Sequence, residues 1–261
     1  MMNDSCPIRW DEMTWEEIGN LAGKGIDMAI LPVGATEQHG PHLPTGVDTF
    51  SAEAVANGAS ALTGIPVLPT IPYGCSLGHS KKWPGTLPLR PNTLAQVIVE
   101  IAEWLESAGF RRLLLLNGHV TNVAPLRCAL ENIRTDFPSL RIALRSIWEI
   151  STKVEEIYLC DGGHNWHANK AETSLMLHMR PDLVYMERAV DEPERSAGCF
   201  FSYTVDQESL KGAVGRPSEA AEIDGQFILD QCIRTLAADL HRALEEATPI
   251  EAWRDREGRQ A

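Results

Sequence analysis

The 261-residue sequence has few basic residues and no long apolar segment. Lysine and arginine number 23 against 36 acidic residues, which gives a formal net charge of −13. Nucleic-acid binding needs clustered basic side chains, and the densest basic positions here are the pairs Lys81–Lys82 and Arg111–Arg112. No run approaches the roughly 20 apolar residues of a membrane span. We therefore expect no nucleic-acid partner and no membrane partner.

Closely spaced cysteine pairs are also missing. The six cysteines are scattered and form no C-x-x-C motif, and the first residues, "MMNDSCPIRW", contain no apolar leader segment. Scattered cysteines in such a chain are typical of reduced thiols. These features predict a cytoplasmic protein. Because we find no internal repeat and no convincing linker, we expect a single domain over residues 1–261.

Helix-like and strand-like patterns alternate along the chain. In "TLAQVIVEIAEWLESAGF" the apolar spacing predicts a helix with one buried face that includes Trp104. Thr93 and Gln96 are spaced as an N-terminal capping box, and Gly109 suits the position just after the helix. "DMAILPV", "RRLLLL" and "LRIALRSI" are predicted strands, whereas "NVAPLRCALENIRTDF", "ETSLMLHM" and residues 218–247 are predicted helices. This order indicates an α/β protein with a mainly parallel sheet covered on both faces. The polar region 188–217 is expected to be a flap, an insertion or an oligomer contact.

Polar side chains follow the first two predicted strands, where open parallel sheets bind ligands. Glu37 and His39 are two residues apart, so in an extended segment they point the same way and Gln38 points elsewhere. Asp48 lies near a predicted helix start, and His119 follows the neighbouring strand. Two histidines and two carboxylates suit Zn²⁺, Mn²⁺ or Fe²⁺. One metal ion could use all four residues, or two ions could share a bridging carboxylate.

The third polar cluster, "GGHNWHANKAETS", precedes a predicted helix. His167 is a candidate proton donor or shuttle, with a structural hydrogen bond as the alternative. Glu172 is either a metal ligand or a carboxylate favoured at a helix N-terminus. Two histidines, His42 and His164, are expected to be loop residues. Three tryptophans are candidates for a flat substrate wall, with the core or an interface as the alternative: Trp83, Trp148 and Trp166.

The blocks "LPVGATEQHGPHLPTGVDT", "PYGCSLGHSKKWPGTLPL", "NGHVTN" and "HANKAETSLM" resemble the creatininase family over about residues 27–185. The resemblance implies a three-layer α/β/α sandwich that assembles as a homohexamer, holds two divalent metal ions and hydrolyses amide-type C–N bonds. It implies further that Glu37 and His119 bind one metal, that His39 binds the other, and that Asp48 bridges them.

Three positions depart from creatininase itself, and the spacing of a fourth departs from the family pattern. Val120 and Thr121 stand where creatininase has tyrosine and a metal-binding glutamate, and Glu172 is our candidate for the replacement ligand. Gly163 stands where creatininase has a tryptophan, with Trp166 directly before His167 instead. His79 is one residue further from Pro84 than the family pattern has it. The departures at Val120, Thr121 and Gly163 argue against creatinine as the substrate.

The resulting hypothesis is metal-assisted hydrolysis of a small amide, amidine or formamide. We expect the substrate to be cyclic. The two metal ions would lower the pKa of a shared water toward about 7 and provide hydroxide. One metal, or the backbone amides of Gly118 and His119, would hold the carbonyl oxygen. Expected substrate contacts are Gly118, Trp166, His79 and Trp83. The alternatives are a metal-dependent peptidase that processes a small partner peptide, and a non-catalytic metal-binding relative.

Overall fold

The computed structural model describes residues 6–79, 81–161 and 165–257. Gly163 and His164, on which two of the expectations rest, lie outside these residues. The described part contains a parallel sheet in the order β1-β2-β3, with β1 at Met28–Val33, β2 at Arg112–Asn117 and β3 at Arg141–Ser146. All three strands were predicted, and the register pairs Leu31 with Leu115 and Leu115 with Leu144. Residues 65–71 run beside the other edge of β1 through parallel bridges at Val67 and Ile71.

The longer predicted helices are also present. The helices are α1 (Trp15–Gly23), α2 (Val47–Thr63), α3 (Pro91–Ser107), α4 (Val123–Asp136), α5 (Thr152–Leu159), α6 (Lys170–Met179), α7 (Val205–Glu208), α8 (Glu222–Leu244) and α9 (Pro249–Glu257). Within the described ranges, none of them has the length and apolar character needed to cross a membrane.

Alternate residues of the strands feed two hydrophobic cores, because successive side chains of a strand point to opposite faces. Ile30 and Leu114 pack on one face with residues of α2, α5, α6 and α8. Leu31 and Leu115 pack on the other face with residues of α1, α3 and α4. Helices therefore cover both faces of the sheet, which confirms the predicted three-layer α/β/α sandwich.

The start of α3 differs from the prediction. The helix begins at Pro91, and Arg90 at its N-cap makes no side-chain capping bond. Proline at the first helical position has a φ already suited to a helix, so the chain turns helical before Thr93. The side chain of Gln96 donates to Glu100 instead. Trp104 was expected on the buried face but is 72% exposed, because the buried face centres on five smaller residues: Leu94, Ala95, Ile98, Ala102 and Leu105.

Part of the irregular region 188–217 packs into the interior. Antiparallel bridges join Val214 to His167 and Gly215 to Glu192, and Ser209 and Val214 are buried. The last third of this region therefore supports the segment that carries the third sequence motif.

Helix α8 lies directly against the backbone of α6 at Gly225. A Cβ atom at this position would lie 1.9 Å from the backbone oxygen of Ser174, and the Ser174 hydroxyl accepts a hydrogen bond of 3.0 Å from the Ala221 amide. Only glycine allows this approach, which fixes α6 against α8.

We predict that Gly225→Ala destabilises the fold, since α6 and α8 must separate to admit the methyl group. Overpacking of this kind costs about 1–3 kcal/mol of unfolding free energy, measurable by chemical denaturation. Gly19→Ala is the matched control: Gly19 lies inside α1 with nothing within 4 Å of its Cβ position, so alanine should stabilise by about 0.5–1 kcal/mol. Equal effects of the two substitutions would contradict this account of the α6–α8 contact.

Candidate metal centre

The first loop, residues 34–46, leaves the carboxyl end of β1 and folds back on itself. The Glu37 amide donates to the carbonyl of Thr45 at 2.8 Å, and His39 pairs with Leu43 in an antiparallel bridge. Gly40 turns the chain between them with φ of 63°, a conformation that glycine adopts without steric cost. The loop therefore directs Glu37 and His39 inward and delivers the chain to the start of α2.

Two more residues arrive from the adjoining elements. Asp48 lies in the first turn of α2, and His119 follows the end of β2. Gly118 lets these elements meet, because a Cβ atom there would lie 2.4 Å from the backbone oxygen of Asp48. The carboxyl ends of β1 and β2 and the N-terminus of α2 thus converge at one point, as the sheet topology requires.

The side chains at this point form a buried carboxylate–histidine cluster, which consists of Glu37, His39, Asp48, His119, His167 and Glu172. Glu37 Oε2 lies 3.0 Å from His119 Nε2, and Asp48 Oδ2 lies 3.3 Å from His119 Nδ1. On the other side of Asp48, Oδ1 lies 3.3 Å from His39 Nε2, which is 3.5 Å from Glu172 Oε1.

Asp48 belongs to two of the metal-ligating groups in this cluster. One group is Glu37, Asp48 and His119, and the other is His39, Asp48 and Glu172. Each carboxylate oxygen of Asp48 faces a different histidine. This is the arrangement that a carboxylate shared by two neighbouring cations requires.

The cluster passes a chemical test for cation binding. Both carboxylate oxygens of Glu37, Oδ2 of Asp48 and Nε2 of His39 are buried without a hydrogen-bond partner. Buried polar atoms without partners are costly, and a bound cation would compensate for them. His39 Nδ1 lies 3.0 Å from the carbonyl oxygen of Glu37, so in the neutral ring Nδ1 carries the hydrogen and Nε2 keeps a lone pair for a cation. Mixed nitrogen and oxygen donors suit Zn²⁺ and Mn²⁺.

The electrostatics of the cluster favour positive charge at its centre. Burial raises the pKa of Glu37 to about 7. Burial also opposes ionisation of His119, but Glu37 and Asp48 outweigh it and raise the pKa of His119 to about 9. For Asp48, burial is outweighed by His39 and His119, which hold its pKa below the usual range. The carboxylates therefore draw protons onto the histidines, and metal binding would displace those protons.

Glu172 divides its two oxygens between two tasks. Asn169 caps α6 by accepting a 3.2 Å hydrogen bond from the Glu172 amide, and Glu172 Oε2 accepts one of 2.6 Å from the Ala168 amide. Ala168 makes this possible with φ of 48°, a left-handed conformation that costs about 1 kcal/mol in a residue other than glycine. Oε1 remains directed at His39. This geometry therefore fits both roles predicted for Glu172, that of a metal ligand and that of a carboxylate at a helix N-terminus.

His167 has one nitrogen fixed and the other directed into the cluster. Nε2 lies 2.8 Å from the backbone oxygen of Gln38, so it carries the hydrogen of that bond. Nδ1 lies 3.4 Å from Glu37 Oε1. Burial, and then the positive charges that His79 and His39 can carry, hold the pKa of His167 well below its usual value. His167 is therefore neutral and presents a lone pair on Nδ1.

Sequence reasoning set Gln38 aside, yet its side chain lies within the site. Gln38 Nε2 donates to His79 Nδ1 at 3.1 Å, and its Oε1 accepts from the Gly40 amide. The same Nε2 lies 3.0 Å from His167 Nε2, which directs its own hydrogen at the Gln38 backbone carbonyl. The alternation rule fails here because the first loop is not a strand. Ser76, whose hydroxyl lies 3.1 Å from His119 Nε2, was also missed, and no pattern in its segment pointed to it.

The structure corrects the expected oxyanion role of two backbone amides. The Gly118 amide donates to the Val33 carbonyl at 2.9 Å, and the His119 amide donates to Asn117 Oδ1 at 3.0 Å. Neither N–H group is free for a substrate. The Gly118 N–H joins the ends of β1 and β2, and the His119 N–H closes the turn after β2.

The remaining predicted contacts fall in different places. His79 is buried with Nδ1 3.2 Å from Glu37 Oε1. The ring of Trp166 packs 5.6 Å from that of Trp148 and 4.7 Å from that of Tyr158, which favours the core role that the sequence left open. Trp83 is partly exposed beneath the Lys82 ammonium group.

His42 joins the first loop to α6. Its Nε2 lies 2.9 Å from the hydroxyl of Thr173, and its imidazole is fully buried. His42 is therefore the loop residue that the sequence predicted, and it makes a buried hydrogen bond to α6.

Comparison with known proteins agrees with this geometry. The creatinine amidohydrolase (creatininase) family model matches residues 11–240. Creatinine amidohydrolase of Pseudomonas putida is 31% identical over 243 residues, which cover 87% of this chain and 93% of that protein. Mycofactocin precursor peptide peptidase of Mycobacterium tuberculosis is 31% identical over 231 residues, covering 80% and 84%. A solved structure named Creatininase Mn has a TM-score of 0.80 at 29% identity and covers 92% of this chain and 100% of that chain. The chain described here belongs to the creatininase family.

Proposed function

We propose that this protein is a metal-dependent amidohydrolase that cleaves a C–N bond of a small amide, amidine or formamide, with cyclic compounds as the first candidates. The observation that carries the proposal is the position of Asp48 between two histidine–carboxylate groups. Family membership supports the reaction class.

Two divalent ions, Zn²⁺, Mn²⁺ or Fe²⁺, are the proposed cofactors. Glu37 and His119 would hold one ion, His39 and Glu172 the other, and Asp48 would bridge them. Metal ions in such sites supply Lewis acidity and lower the pKa of water to about 7. Glu172 takes the ligand position that Thr121 leaves open, because its Oε1 already faces the lone pair of His39.

His167 is the proposed proton carrier. Because its Nε2–H is held by the Gln38 carbonyl, Nδ1 is the atom that accepts a proton from the attacking water. The same proton then passes from Nδ1 to the leaving nitrogen as the C–N bond breaks, which returns His167 to its neutral form. His79, fixed beside Glu37 and Gln38, is the proposed substrate contact nearest to His167.

The proposal also covers the domain organisation, the oligomeric state and the location of the protein. A single domain fits the family match over residues 11–240. A homo-oligomer, a hexamer by resemblance, gives a role to exposed aromatic residues such as Phe200 and Phe201, which are 93% and 71% exposed. A cytoplasmic location is supported by the cysteines, none of which forms a disulfide within the described residues.

A peptidase acting on a small partner peptide is the second candidate function. It is favoured by the similarity to mycofactocin precursor peptide peptidase. The two candidates differ in substrate size and are separated by the substrate panel below. A non-catalytic metal-binding relative is the third reading, and it predicts metal binding without turnover of any substrate.

We expect a chelator to abolish hydrolysis and Mn²⁺, Zn²⁺ or Fe²⁺ to restore it. The metal-loaded protein should be assayed for products against lactams, cyclic ureas, hydantoins, creatinine, formamides and short peptides. Turnover of a small amide supports the proposal, and turnover of peptides alone supports the peptidase. Full activity in metal-free protein would falsify both.

Glu172→Gln should reduce the metal content from two equivalents to about one, because the substitution removes the charge that faces His39. Metal analysis of the purified variant provides the measurement. Glu208→Gln removes another buried carboxylate, outside the cluster, and should retain both equivalents. If Glu172→Gln also retains two, Glu172 is a helix-terminal carboxylate and no ligand.

His167→Asn should lower kcat by about 10²–10⁴-fold, the usual contribution of a positioned acid–base group, while the metal content stays unchanged. His178→Asn is the control, since His178 lies on α6 beside Glu222 and away from the cluster. Near-normal kcat with intact metal would remove His167 from the reaction. Loss of metal would make His167 a ligand.

A further inference from the structure

Four oxygen atoms surround one nitrogen of His119. They belong to the side chains of Thr121, Glu37 and Ser76 and to the backbone of Cys75, at 2.6, 3.0, 3.1 and 3.4 Å from Nε2. The Cys75 carbonyl has no hydrogen to donate, and an ionised Glu37 has none either. Nδ1, on the other side of the ring, lies 3.3 Å from Asp48 Oδ2.

The Thr121 hydroxyl, the nearest of these oxygens, favours a hydrogen on the same nitrogen of His119. A hydroxyl group has one hydrogen, and that of Thr121 is donated to the carbonyl oxygen of Cys75. Towards His119 the same oxygen therefore offers a lone pair. A lone pair facing Nε2 stabilises the ring form in which Nε2 carries the hydrogen.

We propose that Thr121 is a positioning residue that keeps the hydrogen on Nε2 of His119, so that Nδ1 is the nitrogen that binds metal beside Asp48. This inference rests on the proposed function, since it takes His119 as a ligand. Partners of this kind on the second nitrogen of a metal-binding histidine fix its orientation, and their loss typically weakens metal binding about 10–100-fold.

The inference gives a role to a residue that departs from creatininase. Thr121 stands where creatininase has a metal-binding glutamate, and its hydroxyl is too short to replace that ligand. Its oxygen instead contacts a histidine already in the site. Thr121 is exposed at the edge of the cluster, so a side chain of the same shape can replace it without repacking the core.

The test uses Thr121→Val, which keeps the shape and removes the hydroxyl. ¹⁵N chemical shifts of labelled histidine identify the hydrogen-bearing nitrogen of His119 in the Zn²⁺-loaded protein. Titration with Zn²⁺ against a competing chelator gives the affinity. We expect the valine variant to lose the preference for hydrogen on Nε2 and to bind Zn²⁺ about tenfold or more weakly, while Thr121→Ser restores both.

Thr63→Val is the matched control, because the Thr63 hydroxyl also donates to a backbone carbonyl, that of Ala59, at the far end of α2. It should change neither readout. An unchanged His119 spectrum and Zn²⁺ affinity in Thr121→Val would overturn the inference, and so would hydrogen on Nδ1 in the Zn²⁺-loaded parent protein. Failure of the proposed function is separate: His119→Ala would then keep the full metal content.

Discussion

Three carboxylates buried in contact with histidines form the constraint on which the rest of this structure depends. Glu37, Asp48 and Glu172 are removed from water, and both oxygens of Glu37 lack hydrogen-bond donors. Burial of unpaired charge is costly, so positive charge must occupy the centre, as protons on the histidines or as metal ions. The surrounding architecture holds the carboxylates together against their mutual repulsion.

Close backbone approaches provide that architecture. Gly118 allows the end of β2 to touch α2 beside Asp48, and Gly225 allows α8 to press on α6, which carries Glu172. The strain at Ala168 is part of the same construction, because its amide holds one oxygen of Glu172 while the other faces His39. Stability of the fold and geometry of the site thus depend on the same contacts.

The helices were predictable from the periodicity of their apolar residues. A strand such as "RRLLLL" is buried on both faces, so a short apolar run identifies it instead. The start of α3 was misplaced because Pro91 and the capping-box spacing at Thr93 are competing signals. Convergence of Glu37, Asp48 and His119 was predictable from strand order, since parallel strands end at one edge.

Contacts made by irregular segments could not be predicted in this way. Gln38 and Ser76 reach the histidines from loops that have no repeating geometry. Likewise, the sequence did not show that the backbone N–H of Gly118 donates to the Val33 carbonyl and that of His119 to the side chain of Asn117. Sequence therefore located the charged residues of the site, and only the structure assigned the hydrogen bonds that orient them.

Charge balance indicates what the centre can bind. The three carboxylates contribute −3, and neutral histidines contribute nothing, so two divalent cations would leave a charge of about +1. One positive charge in a low-dielectric site attracts an electron-rich oxygen strongly, as on the carbonyl of an amide or the anion that forms from it. One of these three negative charges is that of Glu172, whose Oε1 lies 3.5 Å from His39 Nε2. A centre of this charge has the electrostatics that amide hydrolysis needs, and Thr121, exposed at its edge, contacts it through His119.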